Sequence, residues 1–279
     1  MTDQVAFAGS DSAMEGDELS QAAARCDANP PINIPMVGGA IALTYNLEGV
    51  DNLVLTPDVT AKIFNNEITN WNDQALADAN PGVTLPDAPI AQFHRSDGSG
   101  TTDNFTQWLK ATAPDAWPYE PGSDWAAKGG QGSKGSDGVA ASVKSTPNSI
   151  GYVELSFVET QGLKAASVDN GGGAVAPNAD TATAGLASAK VTPNADAGAG
   201  DLTMEIDYAV QDPAAYPVLL LTYEIACESG NSSDALPLVQ SFLTYTSSTD
   251  GQSMLSGIGY VPLPAELETQ VADAVKSLS

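Results

Sequence analysis

Short runs of alternating apolar residues recur along this chain, and segments with helical periodicity lie between them. Residues 90–94 alternate as a strand does, and Phe105, Trp108, Leu109 and Thr112 follow at i, i+3, i+4 and i+7. In the same way, the apolar run 216–225 precedes the helical period 236–245. Strands that alternate with helices form a sheet with helices on both faces. The pattern therefore predicts an α/β fold.

Further elements follow from caps and turn residues. The sequence predicts strands at 5–8 and 149–154 and two strands within 32–46 that are separated by a bend at the Gly38–Gly39 pair. It predicts helices at 17–25, 59–64, 74–79, 137–144 and 181–189. A chain of 279 residues is long enough for two domains at roughly 150 residues each.

The charge balance excludes polyanionic partners. The chain has 35 acidic and 10 basic residues, a formal net charge of −25, and its two arginines, Arg25 and Arg95, stand far apart. Nucleic acids and anionic membranes are bound by clustered lysines and arginines, which this chain lacks. No apolar run reaches the roughly 18 residues of a membrane-spanning helix, and residues 1–5 do not have the pattern of a signal peptide.

The side chains that hold metals are scarce. One histidine, His94, and two distant cysteines, Cys26 and Cys227, do not form a zinc-binding spacing. We therefore expect no metal and no cofactor. The two cysteines are either buried thiols or a long-range disulfide of an exported protein.

A loop between a predicted strand and a predicted helix carries the clearest chemistry. It reads Arg-Ser-Asp-Gly-Ser-Gly-Thr-Thr at 95–102. A helix N-terminus presents unpaired N–H groups to an anion, and an arginine fork matches two oxygens of a tetrahedral oxyanion. The same loop also fits a plain helix cap and turn. It is not a P-loop, because the Gly-Lys-Ser/Thr ending is missing.

The segment His-Arg-Ser-Asp-Gly-Ser-Gly-Thr-Thr-Asp-Asn-Phe at 94–105 resembles the ligand loop of PstS-type phosphate-binding proteins, the extracytoplasmic receptors of phosphate ABC importers. Phe-Ala-Gly-Ser-Asp at 7–11, Ile-Thr-Asn-Trp-Asn-Asp at 68–73 and Ser-Ile-Gly-Tyr-Val-Glu at 149–154 resemble the same family in the same order. The resemblance implies a two-domain periplasmic-binding-protein-like fold with a ligand cleft between the domains. Gly and Pro interruptions predict one domain from 1–38 and 216–279 and a second from 39–215.

Site residues are carried over from the resemblance position by position. It implies that Arg95, Ser99, Gly100 and Thr101 donate to phosphate oxygens and that Asp97 orients Arg95. Asp11 would accept the proton of the phosphate itself. Sulfate has no proton near neutral pH, so an opposed carboxylate would discriminate against it.

The resemblance implies that the protein captures phosphate reversibly and presents it to a membrane permease. We expect a monomer that is not an enzyme and that acts outside the cytoplasm. A full-length precursor with a lipid anchor would fit this location. Family members carry a further strand, loop and helix ahead of the segment that matches here, so we expect Met1 to be an internal residue of a longer protein or a misplaced start. Two alternatives stay open. One is a phosphate-monoester hydrolase with Ser99 or Thr101 as nucleophile, and the other is a truncated surface protein that binds nothing.

The implied domains also bear on the cysteines. Cys26 and Cys227 both fall in the domain formed by the two chain ends. We therefore predict that they pair, which would close a long loop. Two buried free cysteines are the alternative, because cysteine is often buried without pairing.

Overall fold

The structure is a computed structural model that describes residues 5–279. In chain order, the strands are β1 (Ala8–Ser10), β2 (Pro31–Asn46), β3 (Val54–Leu55), β4 (Ala91–Arg95), β5 (Gln131–Ser133), β6 (Ser149–Glu154), β7 (Lys164–Ala165), β8 (Ser167–Asp169), β9 (Ala174–Val175), β10 (Lys190–Val191), β11 (Met204–Glu205) and β12 (Leu219–Cys227). The helices are α1 (Asp17–Arg25), α2 (Pro57–Phe64), α3 (Gln74–Ala79), α4 (Gly100–Thr112), α5 (Gly135–Ser145), α6 (Leu155–Gln161), α7 (Ala179–Leu186), α8 (Leu236–Thr246), α9 (Thr249–Gln252) and α10 (Ala265–Ser277). None of these helices is long and apolar enough to cross a bilayer.

The contacts divide the described chain into two compact units, and the predicted α/β class is confirmed. The first unit holds residues 5–38, 186–206 and 221–279, and the second holds 39–185 and 207–220. The predicted boundaries differ from this division mainly at 186–206. That segment belongs to the first unit because Leu202 packs in the same core cluster as Ile32 and Ile34.

The first unit is built around one apolar cluster. β1 pairs with β12 in antiparallel register, with Gly9 opposite Glu224, and α8 and α10 pack on each other. The buried members of the cluster are Ile32, Ile34, Met36, Leu202, Ala226, Val239, Leu243, Leu263, Leu267, Val271, Ala274, Val275 and Leu278. Burial of these side chains is the main favourable contribution to this unit.

A buried polar pair completes this core. Asn33 and Asp201 are almost fully buried. Asp201 Oδ1 accepts from Asn33 N at 2.8 Å and from Asn33 Nδ2 at 2.9 Å. Asn33 Oδ1 in turn accepts from Met14 N at 2.8 Å. Because these buried polar atoms are hydrogen-bonded, their desolvation is offset, and they fix the register of the segments that they join.

The predicted pairing of Cys26 with Cys227 is confirmed. The disulfide joins the C-cap of α1 to the last residue of β12, across 201 positions of the sequence. Both cysteines are buried within the first unit. The alternative of two free thiols is therefore wrong for this structure.

The predicted bend at Gly38–Gly39 is wrong, because β2 runs without interruption from Pro31 to Asn46. The glycine at 38 serves packing instead. A Cβ at Gly38 would lie 2.4 Å from Leu186 Cδ1 and 3.0 Å from Val261 Cβ. The glycine thus leaves room for two side chains that pack directly on the strand.

The second unit contains the sheet that carries the chemistry-bearing loop. Residues 41–46 of β2 pair antiparallel with β6, and β4 lies parallel to both β6 and β5. Trp108, Phe105, Phe64 and Tyr152 form a buried cluster around this sheet. Because β4 is parallel to both β5 and β6, the carboxyl ends of these three strands lie at one edge of the sheet. The helices that follow the strands begin at this edge.

Candidate functional site

Two helices of the second unit begin at the same edge of the sheet. Arg95, the last residue of β4, is in register with Ser133, the last residue of β5. Helix α4 starts at Gly100 after the first strand, and α5 starts at Gly135 after the second. Ser96 N donates to Ser133 O at 3.0 Å and ties the two loops together. The N-terminus of each helix contributes unpaired N–H groups to this edge.

The Arg95 side chain is held by two neighbours. Its Nε donates to Asp97 Oδ1 at 2.9 Å and its Nη2 to Asp97 Oδ2 at 2.8 Å. Its Nη1 donates to Ser136 Oγ at 3.1 Å. A guanidinium has five N–H donors, so these three bonds leave two N–H groups without a partner within residues 5–279. Asp97 thus accepts two of the three hydrogen bonds that Arg95 donates.

Asp97 also closes the N-terminus of α5. Its Oδ1 accepts from Gly135 N at 3.1 Å. The pKa of the Asp97 carboxyl is held well below its usual range, first by the hydrogen bonds from Arg95 and then by the Gly135 amide. A protein carboxylate thus accepts from the first amide of α5. The first turn of α4 remains a candidate place for a ligand.

The first turn of α4 offers three groups to such a ligand. Ser99 N is engaged with Ser123 O at 3.0 Å, and Ser99 Oγ accepts from Thr102 N at 3.3 Å. The hydroxyl proton of Ser99 is still available, because that bond uses only a lone pair. In the described part of the chain, the amides of Gly100 and Thr101 have no recorded acceptor, as expected for the first residues of a helix.

The Thr101 hydroxyl has a hydrogen-bond partner within the protein. Thr101 is 1% exposed, and its Oγ1 donates to Oε1 of Glu154, the last residue of β6. Glu154 is 7% exposed, and its Oε2 has no hydrogen-bond partner in the described chain.

The Tyr152 hydroxyl contacts two residues at the same edge of the sheet. Its hydroxyl lies 2.7 Å from Thr102 Oγ1 and accepts from Arg95 N at 3.2 Å. Burial raises the pKa of Tyr152 to about 12. The phenol is therefore neutral at physiological pH and acts as a fixed polar support for the loop.

His94 faces away from this chemistry. Its ring stacks on Trp125 with centroids 4.7 Å apart, and its Nδ1 lies 2.8 Å from Arg95 O. Burial lowers the pKa of His94. No hydrogen bond joins His94 to Ser99 or Thr101 among the bonds of the described residues.

The predicted site residues of the loop between β4 and α4 lie together in the second unit. They are Arg95, Asp97, Ser99, Gly100 and Thr101. Asp11 lies in the first unit, directly after β1. Its Oδ1 accepts from Thr222 Oγ1 at 2.7 Å.

Sequence reasoning missed Ser136 and Glu154. They lie 41 and 53 positions from their partners Arg95 and Thr101, so local pattern cannot pair them. One signal was available for Glu154: it ends a predicted strand, Arg95 directly follows another, and parallel neighbours end at one sheet edge. For Ser136, the signal was its place just before the predicted helix 137–144.

Comparisons with known proteins bear on this site. A family model described as the PBP superfamily domain matches residues 1–250. Phosphate-binding protein PstS 3 of Mycobacterium tuberculosis is 39% identical over 281 residues, which cover 99% of this chain and 74% of that protein. Phosphate-binding protein PstS of Xylella fastidiosa is 32% identical over 271 residues, or 95% of this chain and 70% of that protein.

Solved structures share the fold. A high-affinity periplasmic phosphate-binding protein, PfluDING, bound with phosphate, superposes with a TM-score of 0.75 at 23% identity over 98% of this chain and 80% of that one. A putative phosphate ABC transporter substrate-binding protein from Clostridium perfringens, with bound phosphate, gives a TM-score of 0.62 at 20% identity over 93% of this chain and 79% of that one.

Proposed function

The chain belongs to the PstS family of phosphate-binding proteins within the PBP superfamily, and on that premise we propose that it binds inorganic phosphate outside the cytoplasm and delivers it to the permease of an ABC importer. The predicted binding-protein fold of this family is confirmed by its structural neighbours. Relatives that are named phosphate-binding proteins support the ligand.

One observation supports the proposal: donors without a partner in the described chain lie in the loop between β4 and α4, at one edge of the second unit's sheet. The two remaining N–H groups of Arg95, the amides of Gly100 and Thr101 and the Ser99 hydroxyl are the donors that an oxyanion needs. Arg95 is one of two arginines in a chain of net charge −25, and it is held by Asp97 at the edge where α4 begins. Fixed donors of this kind bind a dehydrated anion without a net positive charge on the protein.

We assign the proton of the phosphate to Asp11. A carboxylate accepts a P–O–H hydrogen bond but repels the oxygen of a fully ionised sulfate. Thr222, which donates to Asp11 at 2.7 Å, orients the carboxylate in the first unit. This role rests on the resemblance of residues 7–11 to the family.

The hydrolase alternative has less support. Nucleophilic Ser or Thr needs an adjacent base, and the imidazole of His94 stacks on Trp125 and contacts Arg95 O. The Ser99 hydroxyl caps α4. We therefore propose binding without chemistry. We also propose a monomer, because copies that each carry −25 repel one another.

Equilibrium binding of labelled phosphate, with sulfate and a phosphate monoester as competitors, tests the proposal. The wild-type protein should bind labelled phosphate saturably, and added sulfate should not displace that phosphate. The protein should release no phosphate from the monoester. Arg95→Gln should weaken binding by about 2 kcal/mol or more, a factor of about 30. Lys62→Gln is the matched control: it removes one positive charge from an exposed ion pair of the same unit. Equal binding by both variants would overturn the assignment.

A further inference from the structure

We propose that Asn104 and Tyr208 are positioning residues of the phosphate site. They act on the carbonyl of Gly100, which belongs to the same peptide group as the Thr101 amide. This inference rests on the proposed binding of phosphate at the first turn of α4. Its observations are two short hydrogen bonds in series that end on the Gly100 carbonyl, and the burial of both side chains that make them.

The first step concerns the route of the hydrogen bonds. The Tyr208 hydroxyl donates to Asn104 Oδ1 at 2.6 Å, and Asn104 Nδ2 donates to Gly100 O at 2.7 Å. A carbonyl oxygen has two lone pairs, so Gly100 O can accept this side-chain bond in addition to the main-chain bond of the helix. Two successive bonds therefore connect the phenol of Tyr208 to the first residue of α4.

The second step concerns the choice of residue at position 104. Asn104 is 5% exposed and lies inside α4, next to the fully buried Phe105. Asparagine is a poor residue for a helix interior, because its amide competes with the main chain for hydrogen bonds. A buried amide is tolerated when both of its ends are hydrogen-bonded, as they are here. The two groups that Asn104 joins therefore explain both its type and its place.

The third step concerns the position of Tyr208, which a second connection fixes relative to α4. Asn170 Nδ2 donates to Tyr208 O at 3.1 Å and to Val210 O at 2.8 Å. Asn170 Oδ1 accepts from Nε1 of Trp108, a buried residue of α4, at 3.3 Å. All these residues belong to the second unit. Tyr208 is therefore held beside α4 by its main chain as well as by its hydroxyl.

The fourth step concerns the peptide group. The Gly100 carbonyl and the Thr101 N–H share one amide resonance system. A hydrogen bond to the oxygen draws electron density from the nitrogen, so the N–H becomes a stronger donor, and bonds in series strengthen one another. The Gly100 N–H belongs to the preceding peptide group, whose carbonyl, Ser99 O, accepts from Asp103 N at 3.0 Å. The two side chains therefore strengthen the Thr101 donor and not the Gly100 donor.

Phosphate titrations of Tyr208→Phe, followed in ¹H–¹⁵N spectra, test this inference, because the variant keeps the ring and removes the hydroxyl. At saturation, the downfield shift of the Thr101 amide proton should be smaller than in the wild type. The shift of the Gly100 amide proton should equal the wild-type shift, whereas a merely structural loss would change both amides alike. The affinity for phosphate should fall by a factor of about 2 to 5.

Tyr119→Phe is the matched control. The Tyr119 hydroxyl donates to Asn65 Oδ1 at 2.9 Å in the same unit, which is a bond of the same kind that does not lead to Gly100. This variant should bind phosphate as the wild type does, with both amide shifts unchanged.

Asn104→Ala is the second variant, and it keeps the test if Tyr208→Phe does not fold. It should show the same selective loss at Thr101, and adding Tyr208→Phe should have no further effect, because Tyr208 acts through Asn104. Wild-type Thr101 shifts in the variants, equal losses at Gly100 and Thr101, or additive effects of the two substitutions would overturn the inference and leave the proposed function intact. A wild-type protein that binds no phosphate would instead reject the proposed function, and this inference with it.

Discussion

The Asp97 carboxylate accepts two hydrogen bonds from the Arg95 guanidinium. Nε donates to Oδ1 at 2.9 Å, and Nη2 donates to Oδ2 at 2.8 Å. The same carboxylate accepts from the Gly135 amide at the start of α5. One side chain therefore fixes the cation of the site and neutralises the N-terminus of the neighbouring helix.

We predict that acid destabilises the protein partly through Asp97. Its folded-state pKa is depressed, whereas an unfolded aspartate has a pKa of about 3.9. The stabilisation is therefore present above pH ~4 and is lost as pH falls below that value. Asp97→Asn should show a smaller decrease in the free energy of unfolding below pH ~4, measured by urea denaturation. Asp115→Asn, which removes an exposed carboxylate of the same unit, should match wild type; a decrease of wild-type size in Asp97→Asn would contradict the prediction.

Ser136 should contribute modestly to phosphate binding. Its hydroxyl accepts from Arg95 Nη1 at 3.1 Å, and a hydrogen bond of this kind contributes about 0.5–1.5 kcal/mol. Ser136→Ala should therefore weaken phosphate binding by a factor of about 2 to 10 in calorimetric titrations. Ser145→Ala changes an exposed serine of the same helix and should have no effect. An affinity of Ser136→Ala equal to that of Ser145→Ala would show that Ser136 does not support Arg95 in the bound state.

The disulfide should stabilise the first unit. It joins residues 201 positions apart, and cross-links of long loops reduce the entropy of the unfolded chain. Reduction, or the Cys26→Ser/Cys227→Ser double variant, should lower the free energy of unfolding by about 2–5 kcal/mol. Guanidinium denaturation of the oxidised and reduced protein measures the difference. Equal midpoints for the two forms would be inconsistent with this account.

Gly38 should tolerate no side chain. A Cβ there would meet Leu186 Cδ1 at 2.4 Å, and overpacking of this kind costs about 1–3 kcal/mol. Gly38→Ala should lower the thermal midpoint, whereas Gly122→Ala, where nothing lies within 4 Å of the added Cβ, should leave it nearly unchanged. If the two variants melt together, β2 is not packed as described.

Much of the fold was predictable because its signals are local. The helices at 17–25 and 74–79 and the strand at 149–154 occur within the predicted bounds, since caps and alternation specify them directly. The glycine pair at 38–39 misled the prediction: sequence shows that a side chain is missing but not that Leu186 and Val261 fill its place.

The candidate site was predictable only in its contiguous part. The loop 95–102 contains its own donors and the Asp97 partner of Arg95. The contribution of Glu154 arises where β6 ends beside α4, which is a consequence of sheet order. The hydrogen bond from Thr101 to Glu154 joins residues 53 positions apart, so no local pattern could predict it.

The central claim is that the open N-terminus of α4 takes the anion, and the backbone amides of Gly100 and Thr101 test it most directly. In ¹H–¹⁵N spectra of the wild-type protein, phosphate should shift both resonances strongly and saturably, and sulfate should not. Unchanged Gly100 and Thr101 resonances in a phosphate-saturated sample would contradict the account.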